Sequence, residues 1–293
     1  MGAITAAIGD AVLTFMWVFS ASTLGALTTV IATALGVQGL VWPSLFITTV
    51  LVFVLVFFFT LIGDALGGAS FNPTGIASFY AAGLGRDTLF SMAIRFPAQA
   101  AGAVGGALAI MWVMPKEYKH ILGGPSLKVD LHTGAIAEGV LTFLINFAVL
   151  LIVLRGPRSP ILKTWLLAVA TVALVVVGSN YTGPSMNPAN MSPPNRYPFI
   201  KYSIAAILRA LIVAGPVIFG AFLIAWSLYE YLNIFLWGNM ESLEAFGWAY
   251  VNNSHDTWGH FYVYWICPFI GTILAAWVFR FLFPPPPVKQ KKA

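Results

Sequence analysis

The chain has 293 residues, of which 59% are hydrophobic and only 9% are charged, with a formal net charge of +5. Its mean hydropathy is +0.85. Because so little polar surface cannot cover a soluble globule, this composition predicts a protein of the lipid bilayer. The basic residues are scattered or gathered at the C-terminus, which favours loops of a membrane protein over a nucleic-acid surface. The single cysteine, Cys267, excludes an intrachain disulfide.

Six apolar stretches are long enough to cross a bilayer as helices, which takes about 20 residues each. They fall near residues 4–27, 40–62, 91–114, 133–154, 161–181 and 261–283. A further apolar region, 203–237, is interrupted by Pro216. We therefore predict an all-α membrane protein.

Two Asn-Pro motifs follow Gly-containing polar turns. They are Asn72-Pro73-Thr74, after the second span, and Asn187-Pro188-Ala189, after the fifth. Asn is a favoured N-cap and Pro suits the first helical position, so each motif predicts a short helix that starts at membrane depth. Two such helices facing each other place two positive dipole ends and two carboxamides at one point of a pore. Paired motifs in two hydrophobic halves are typical of channels and transporters.

One acid lies inside each of the first and fourth spans, within a shared signature. The two signatures read Asp10-x-x-x-Thr14-Phe15 and Glu138-x-x-x-Thr142-Phe143. We predict that both carboxylates accept hydrogen bonds from the non-helical backbone of the Asn-Pro loops, which must be satisfied away from water. Each half has three spans, so the second repeat, about 133–283, is inverted relative to the first, about 1–114.

The residues that carry these motifs resemble the aquaporin, or major intrinsic protein, family. They are Gly68-Ala-Ser-Phe-Asn72-Pro-Thr, Tyr181-Thr-Gly-Pro-Ser-Met-Asn187-Pro-Ala and the two acid signatures. Thr74, Asn190 and the lysine-rich tail are similar to those of the plant small basic intrinsic proteins. The resemblance implies a bundle of six transmembrane helices and two Asn-Pro half-helices, assembled as a homotetramer with one pore per subunit. It also implies a passive channel, which is not an enzyme and binds no cofactor, metal or nucleic acid.

The resemblance further implies four selectivity-filter residues, carried over by their distance from the two motifs. They are Val52, Val175, Pro184 and Asn190. The family's usual Arg is Asn190 here and its usual His is Val175, so the implied filter is apolar and lacks fixed positive charge. Water still fits, because the Asn72 and Asn187 carboxamides replace its hydrogen bonds. We expect conduction of water and other small neutral solutes.

The second half contains an excess of residues that the first half lacks. Gln99 follows Asn72 by 27 residues, whereas the matching Pro268 follows Asn187 by 81, and 81 minus 27 leaves 54. Removing 191–244 would join Asn190 directly to Ala245, within the second half-helix. Two explanations stay open: a retained intron or faulty gene model, which the divisibility of 54 by three allows, and a real insertion that reshapes the pore mouth.

The C-terminal segment, 284–293, has four prolines followed by lysines. Lys289 and Lys291 resemble the dilysine retrieval signal of endoplasmic-reticulum membrane proteins, which predicts that location and a cytosolic tail. The alternative is a basic anchor for anionic lipid.

Two alternatives to a conducting channel remain. The insertion interrupts the second half-helix and would make the protein non-conducting or misfolded. A secondary transporter also uses inverted repeats and half-helices, but it needs coupling-ion residues at mid-membrane. Asp10 and Glu138, the acids in the predicted spans, fit the support of the loops instead.

Overall fold

The computed structural model describes residues 2–85, 87–182, 241–253 and 256–284, with the backbone alone for 241–244. These ranges contain helices and no strands, so the predicted all-α fold is confirmed. The helices are α1 (Ala3–Ala21), α2 (Leu24–Ala34), α3 (Val41–Ala65), α4 (Pro73–Ala81), α5 (Leu89–Val113), α6 (Leu131–Arg155), α7 (Pro160–Gly178), α8 (Glu241–Val251) and α9 (Trp258–Leu282). A short 3-10 helix covers Lys116–Ile121.

Six membrane-spanning helices match the six predicted spans: α1 continued by α2, then α3, α5, α6, α7 and α9. Two details differ from the prediction. The first span is not one continuous α-helix: α1 ends at Ala21 and α2 begins at Leu24, and between them the hydroxyls of Ser22 and Thr23 donate to the backbone oxygens of Val18 and Ser20, each at 2.7 Å. The third helix, α3, runs on to Ala65 and therefore includes Asp64, a further acid that the predicted span left out.

The two halves cross their first and third spans in the same way. The helix α1 packs on α5, and α6 packs on α9. At the first crossing a Cβ on Gly102 would overlap the backbone oxygen of Ala11, and at the second a Cβ on Gly271 would overlap that of Gly139. Ala11 and Gly139 directly follow Asp10 and Glu138 in the sequence. The glycines of the third spans therefore let the backbone next to each acid contact the third span of the same half.

Each half-helix packs on the third span of the other half: α4 on α9, and α8 on α5. With nine and eleven residues, α4 and α8 are about 13 and 16 Å long, well short of the ~30 Å hydrocarbon core. Neither helix is therefore long enough to cross the hydrocarbon core. The helix α8 begins within the predicted insertion, of which 191–240 lies outside the described residues.

Candidate functional site

The first Asn-Pro motif forms the start of α4. Asn72 has extended backbone and is its N-cap, with the side-chain Oδ1 accepting from the backbone nitrogen of Thr74 at 2.9 Å and from its hydroxyl at 3.0 Å. Pro73 occupies the first helical turn, and all three residues of the motif are buried. The cap fixes the carboxamide at the positive end of the helix dipole, because α4 itself holds the carboxamide oxygen.

Asp10 lies beneath the loop that leads into Asn72. It is fully buried, and its Oδ1 accepts from the backbone nitrogen of Ser70 at 2.8 Å. Gln99, from α5, joins the two groups: its Nε2 donates to Asp10 Oδ2 at 2.8 Å and to the Ser70 carbonyl at 2.9 Å. The backbone nitrogen and carbonyl of one loop residue are thus both satisfied by buried side chains, as a non-helical segment away from water requires.

An aromatic stack also packs against the loop that leads into Asn72. The rings of Trp17 and Phe71 are parallel, with centroids 4.2 Å apart, and Phe59 meets Trp17 edge-on at 5.0 Å. All three are buried. The residue next to Asn72 is therefore held by packing against α1 and α3.

The described part of the predicted filter is the pair Val52 and Val175. Both are buried, one on α3 and the other on α7, and both line one small cavity. Its other lining residues are Leu45, Thr48, Thr171, Val172 and Val176. The walls are thus apolar apart from two threonines.

The remaining predicted site residues belong to the second Asn-Pro loop and to the C-terminal tail, or were predicted to support that loop. Glu138 is buried in α6, but beyond Thr182 the second loop, which it was predicted to support, lies outside the described residues. The same is true of Asn187, Pro188, Ala189, Pro184, Asn190, Lys289 and Lys291.

The sequence reasoning missed Arg95, which pairs with Asp10 in the interior. A signal was available, since Arg95 is a basic residue inside a predicted span, and such charges are rarely left unpaired in a membrane. Its partner could not be read from spacing, because the two residues are 85 positions apart.

Comparison with known proteins agrees with this architecture. The model of the family described as Major intrinsic protein matches residues 1–279. Aquaporin SIP1-2 from Zea mays is 53% identical, with 99% of this chain and 98% of the relative covered. Aquaporin SIP1-1 from Arabidopsis thaliana is 48% identical, with 100% of this chain and 98% of the relative covered. Among solved structures, the aquaglyceroporin from Plasmodium falciparum matches with a TM-score of 0.54 at 16% identity, over 95% of this chain and 96% of that one, and so supports the fold alone.

The family predicted from the motifs is thereby confirmed, together with the resemblance to plant small basic intrinsic proteins. Such proteins are passive channels rather than enzymes. The chain belongs to the major intrinsic protein family, and is a multi-pass membrane channel for water or small solutes.

Proposed function

We propose that the protein is a passive water channel whose pore is centred on its two Asn-Pro motifs. The observation that carries the proposal is the position of Asn72: it caps a nine-residue helix that begins inside the bundle, among buried residues. Because a half-helix exposes its unsatisfied N–H groups at that end, it presents donors and positive potential to anything at the centre of the bundle. Water accepts such bonds, whereas cations are repelled.

The second half of the pore centre is proposed by symmetry. The helix α8 packs on α5 as α4 packs on α9, which supports α8 as the half-helix belonging to Asn187. Its buried face includes Ala245, Trp248 and Ala249. A Cβ on Gly247 would stand 2.7 Å from the backbone oxygen of Ala103, so this helix approaches α5 closely.

We further propose an apolar, weakly discriminating filter formed by Val52, Val175, Pro184 and Asn190. The cavity shared by Val52 and Val175 supports the first two. With no arginine in this set, selection rests on pore width and on the half-helix ends, so small neutral solutes are expected to pass with water.

The test is osmotic water flux in phosphatidylcholine vesicles that contain the full-length protein, measured by stopped-flow light scattering and divided by the folded protein per vesicle. Asn72→Asp should reduce this flux about tenfold or more, because a carboxylate cannot donate and carries charge into a low-dielectric site. Gln38→Glu is the matched control, since it makes the same amide-to-acid change at an exposed turn. Equal flux in wild type and Asn72→Asp would exclude the motif as the pore centre.

The same assay addresses the alternatives. A transporter would need an ion gradient, and a non-conducting protein would leave the vesicles at their lipid permeability. Deleting 191–244 joins Asn190 to Ala245, and it should raise the flux per folded molecule if the insertion obstructs the pore. Unchanged flux after deletion would mean that the insertion lies clear of it.

The location and assembly are proposed with the pore. We propose that the protein resides in the endoplasmic reticulum, because Lys289 and Lys291 resemble a dilysine retrieval signal. We propose a homotetramer because of the family to which the chain belongs. Replacing Lys289 and Lys291 by Ser should move the protein outward along the secretory route without changing its flux; an unchanged location would leave the lipid-anchor interpretation. Crosslinking in native membranes should give a series ending at four subunits, and a series ending at any other number would contradict the tetramer.

A further inference from the structure

We propose that Arg95 is a positioning residue for the pore: through Asp10 and Asp87 it holds the chain on both sides of the half-helix α4, and so fixes where Asn72 stands. This inference rests on the proposed pore at Asn72. It adds a residue and a mechanism that the motifs themselves do not contain.

All three guanidinium nitrogens of Arg95 donate hydrogen bonds. The residue is only 6% exposed, and it holds Asp10 with two nearly parallel bonds: Nε to Oδ2 at 2.7 Å and Nη2 to Oδ1 at 2.8 Å. Its third nitrogen, Nη1, donates to Asp87 Oδ1 at 2.8 Å. Such two-pronged geometry suits the planar guanidinium and would not be reproduced by the single ammonium of lysine.

The partners of Arg95 lie on either side of α4 along the chain. Gly68, four residues before Asn72, accepts from Nη2 at 3.3 Å, and Ser70 binds the same Asp10 carboxylate that Arg95 holds. Asp87 follows the end of α4 and also accepts from the hydroxyl of Ser91, in the first turn of α5, at 2.9 Å. One side chain therefore links the loop that enters the half-helix with the loop that leaves it.

The inverted repeat argues that this arginine is not needed merely to build the helix crossing. Counting back seven positions from Gly102 leads to Arg95, and the same count from Gly271 leads to Tyr264. Both crossings bring glycine against the backbone oxygen of the facing helix. Since one crossing forms with a neutral side chain at this position, the positive charge in the first half has another use. Its hydrogen bonds indicate that this use is to hold the loops around α4.

The experiment separates positioning from folding. Asp87→Asn weakens the link to the outgoing loop but leaves the Asp10–Arg95 pair intact. The double variant Asp10→Asn with Arg95→Gln removes the buried charges together, which avoids a stranded ion. Arg158→Gln is the control, because it removes an exposed arginine. For each, folded yield in detergent and water flux per folded molecule are measured in the vesicles described above.

We expect Asp87→Asn and the double variant to lower flux per folded molecule about threefold or more, because the pore centre is displaced. Arg158→Gln should match wild type. Arg95→Lys should recover part of the folded yield lost in Arg95→Gln but not the flux, since one ammonium cannot span both loops. If Asp87→Asn and the double variant both conduct like wild type per folded molecule, Arg95 acts only in folding and the inference is wrong. If the double variant does not fold, Asp87→Asn alone decides.

This outcome is distinct from failure of the proposed function. A normal flux in Asn72→Asp would remove the pore centre itself. Suppressed flux in Asn72→Asp, together with normal flux in both Asp87→Asn and the double variant, would retain the pore and reject only the positioning role of Arg95.

Discussion

The two halves of the chain build the same helix crossing but place different side chains around it. Gly102 and Gly271 each touch the backbone of the residue after an acid, so the approach of the two backbones is repeated. The side chains near this contact are not repeated: Arg95 and Gln99 in the first half correspond to Tyr264 and Pro268 in the second. An inverted repeat thus constrains backbone contact more strictly than polar contact, because backbone atoms cannot be moved aside as side chains can.

The prolines in the third spans of the two halves also differ in their surroundings. Pro97 lies within α5 and the helix remains regular around it, whereas Pro268 is preceded by a π turn at Tyr262–Ile266 in α9. Proline cannot donate and its ring crowds the preceding turn, so a wider turn is one way to accommodate it. Where the first half uses Gln99 to bind the loop, the second half has a proline that cannot donate at all.

The largest loss of folded protein is expected at the two glycines where the first and third spans of each half cross. Gly102→Val and Gly271→Val should each abolish most folded protein, because even a Cβ would overlap a backbone oxygen of the facing helix. The cost should exceed about 4 kcal/mol, beyond what most single substitutions produce. Gly123→Val is the control, since nothing lies within 4 Å of its added Cβ. The measurement is the monodisperse fraction after detergent extraction. A normal yield for one crossing and not the other would break the equivalence of the two halves.

Much of this architecture was predictable from the sequence because it depends on local or periodic signals. The spans follow from apolar length, and the start of α4 follows from Asn72 and Pro73. The predicted contact of Asp10 with the first loop also agrees with the bond from Ser70. The spans and the helix start are fixed by nearby residues, whereas the Asp10 contact spans 60 positions and follows from the need of non-helical backbone for partners inside the membrane.

The rest depends on tertiary proximity that no spacing encodes. Arg95 meets Asp10 across 85 positions, and Trp17 meets Phe71 across 54 positions and one intervening span, α3. The break between α1 and α2 at Ser22 and Thr23 was also missed, because the mean hydropathy of a span carries no signal for it. Such contacts become visible only when the helices are placed together.

A smaller loss of stability should distinguish substitutions of the two buried acids, Asp10 and Glu138. Asp10→Asn should destabilise the protein by about 2–3 kcal/mol, because it leaves the Arg95 guanidinium with less compensating charge in the interior. Glu138→Gln should cost about 1 kcal/mol, since the amide keeps an acceptor oxygen at this buried site. Thermal unfolding in detergent, read at equal protein concentration, gives the comparison. Similar losses in the two variants would show that the ion pair does not distinguish the halves.

The smallest effect is expected where the two halves face each other, at the cavity between α3 and α7. Val52→Phe should lower water flux severalfold and cost about 1–3 kcal/mol of stability, because the cavity that Val52 and Val175 line is about the size of one water and the larger ring must fill and overpack it. Val54→Phe is the matched control: Val54 is two residues away on the same helix, yet it is 42% exposed whereas Val52 is 1% exposed. Phenylalanine at the exposed site should meet lipid and leave the flux unchanged. The readout is flux per folded molecule, with urea and glycerol as larger solutes, since narrowing should exclude these before it stops water. Equal flux in the two variants would mean that this cavity lies beside the water path, and the filter assignment at Val52 and Val175 would then be wrong.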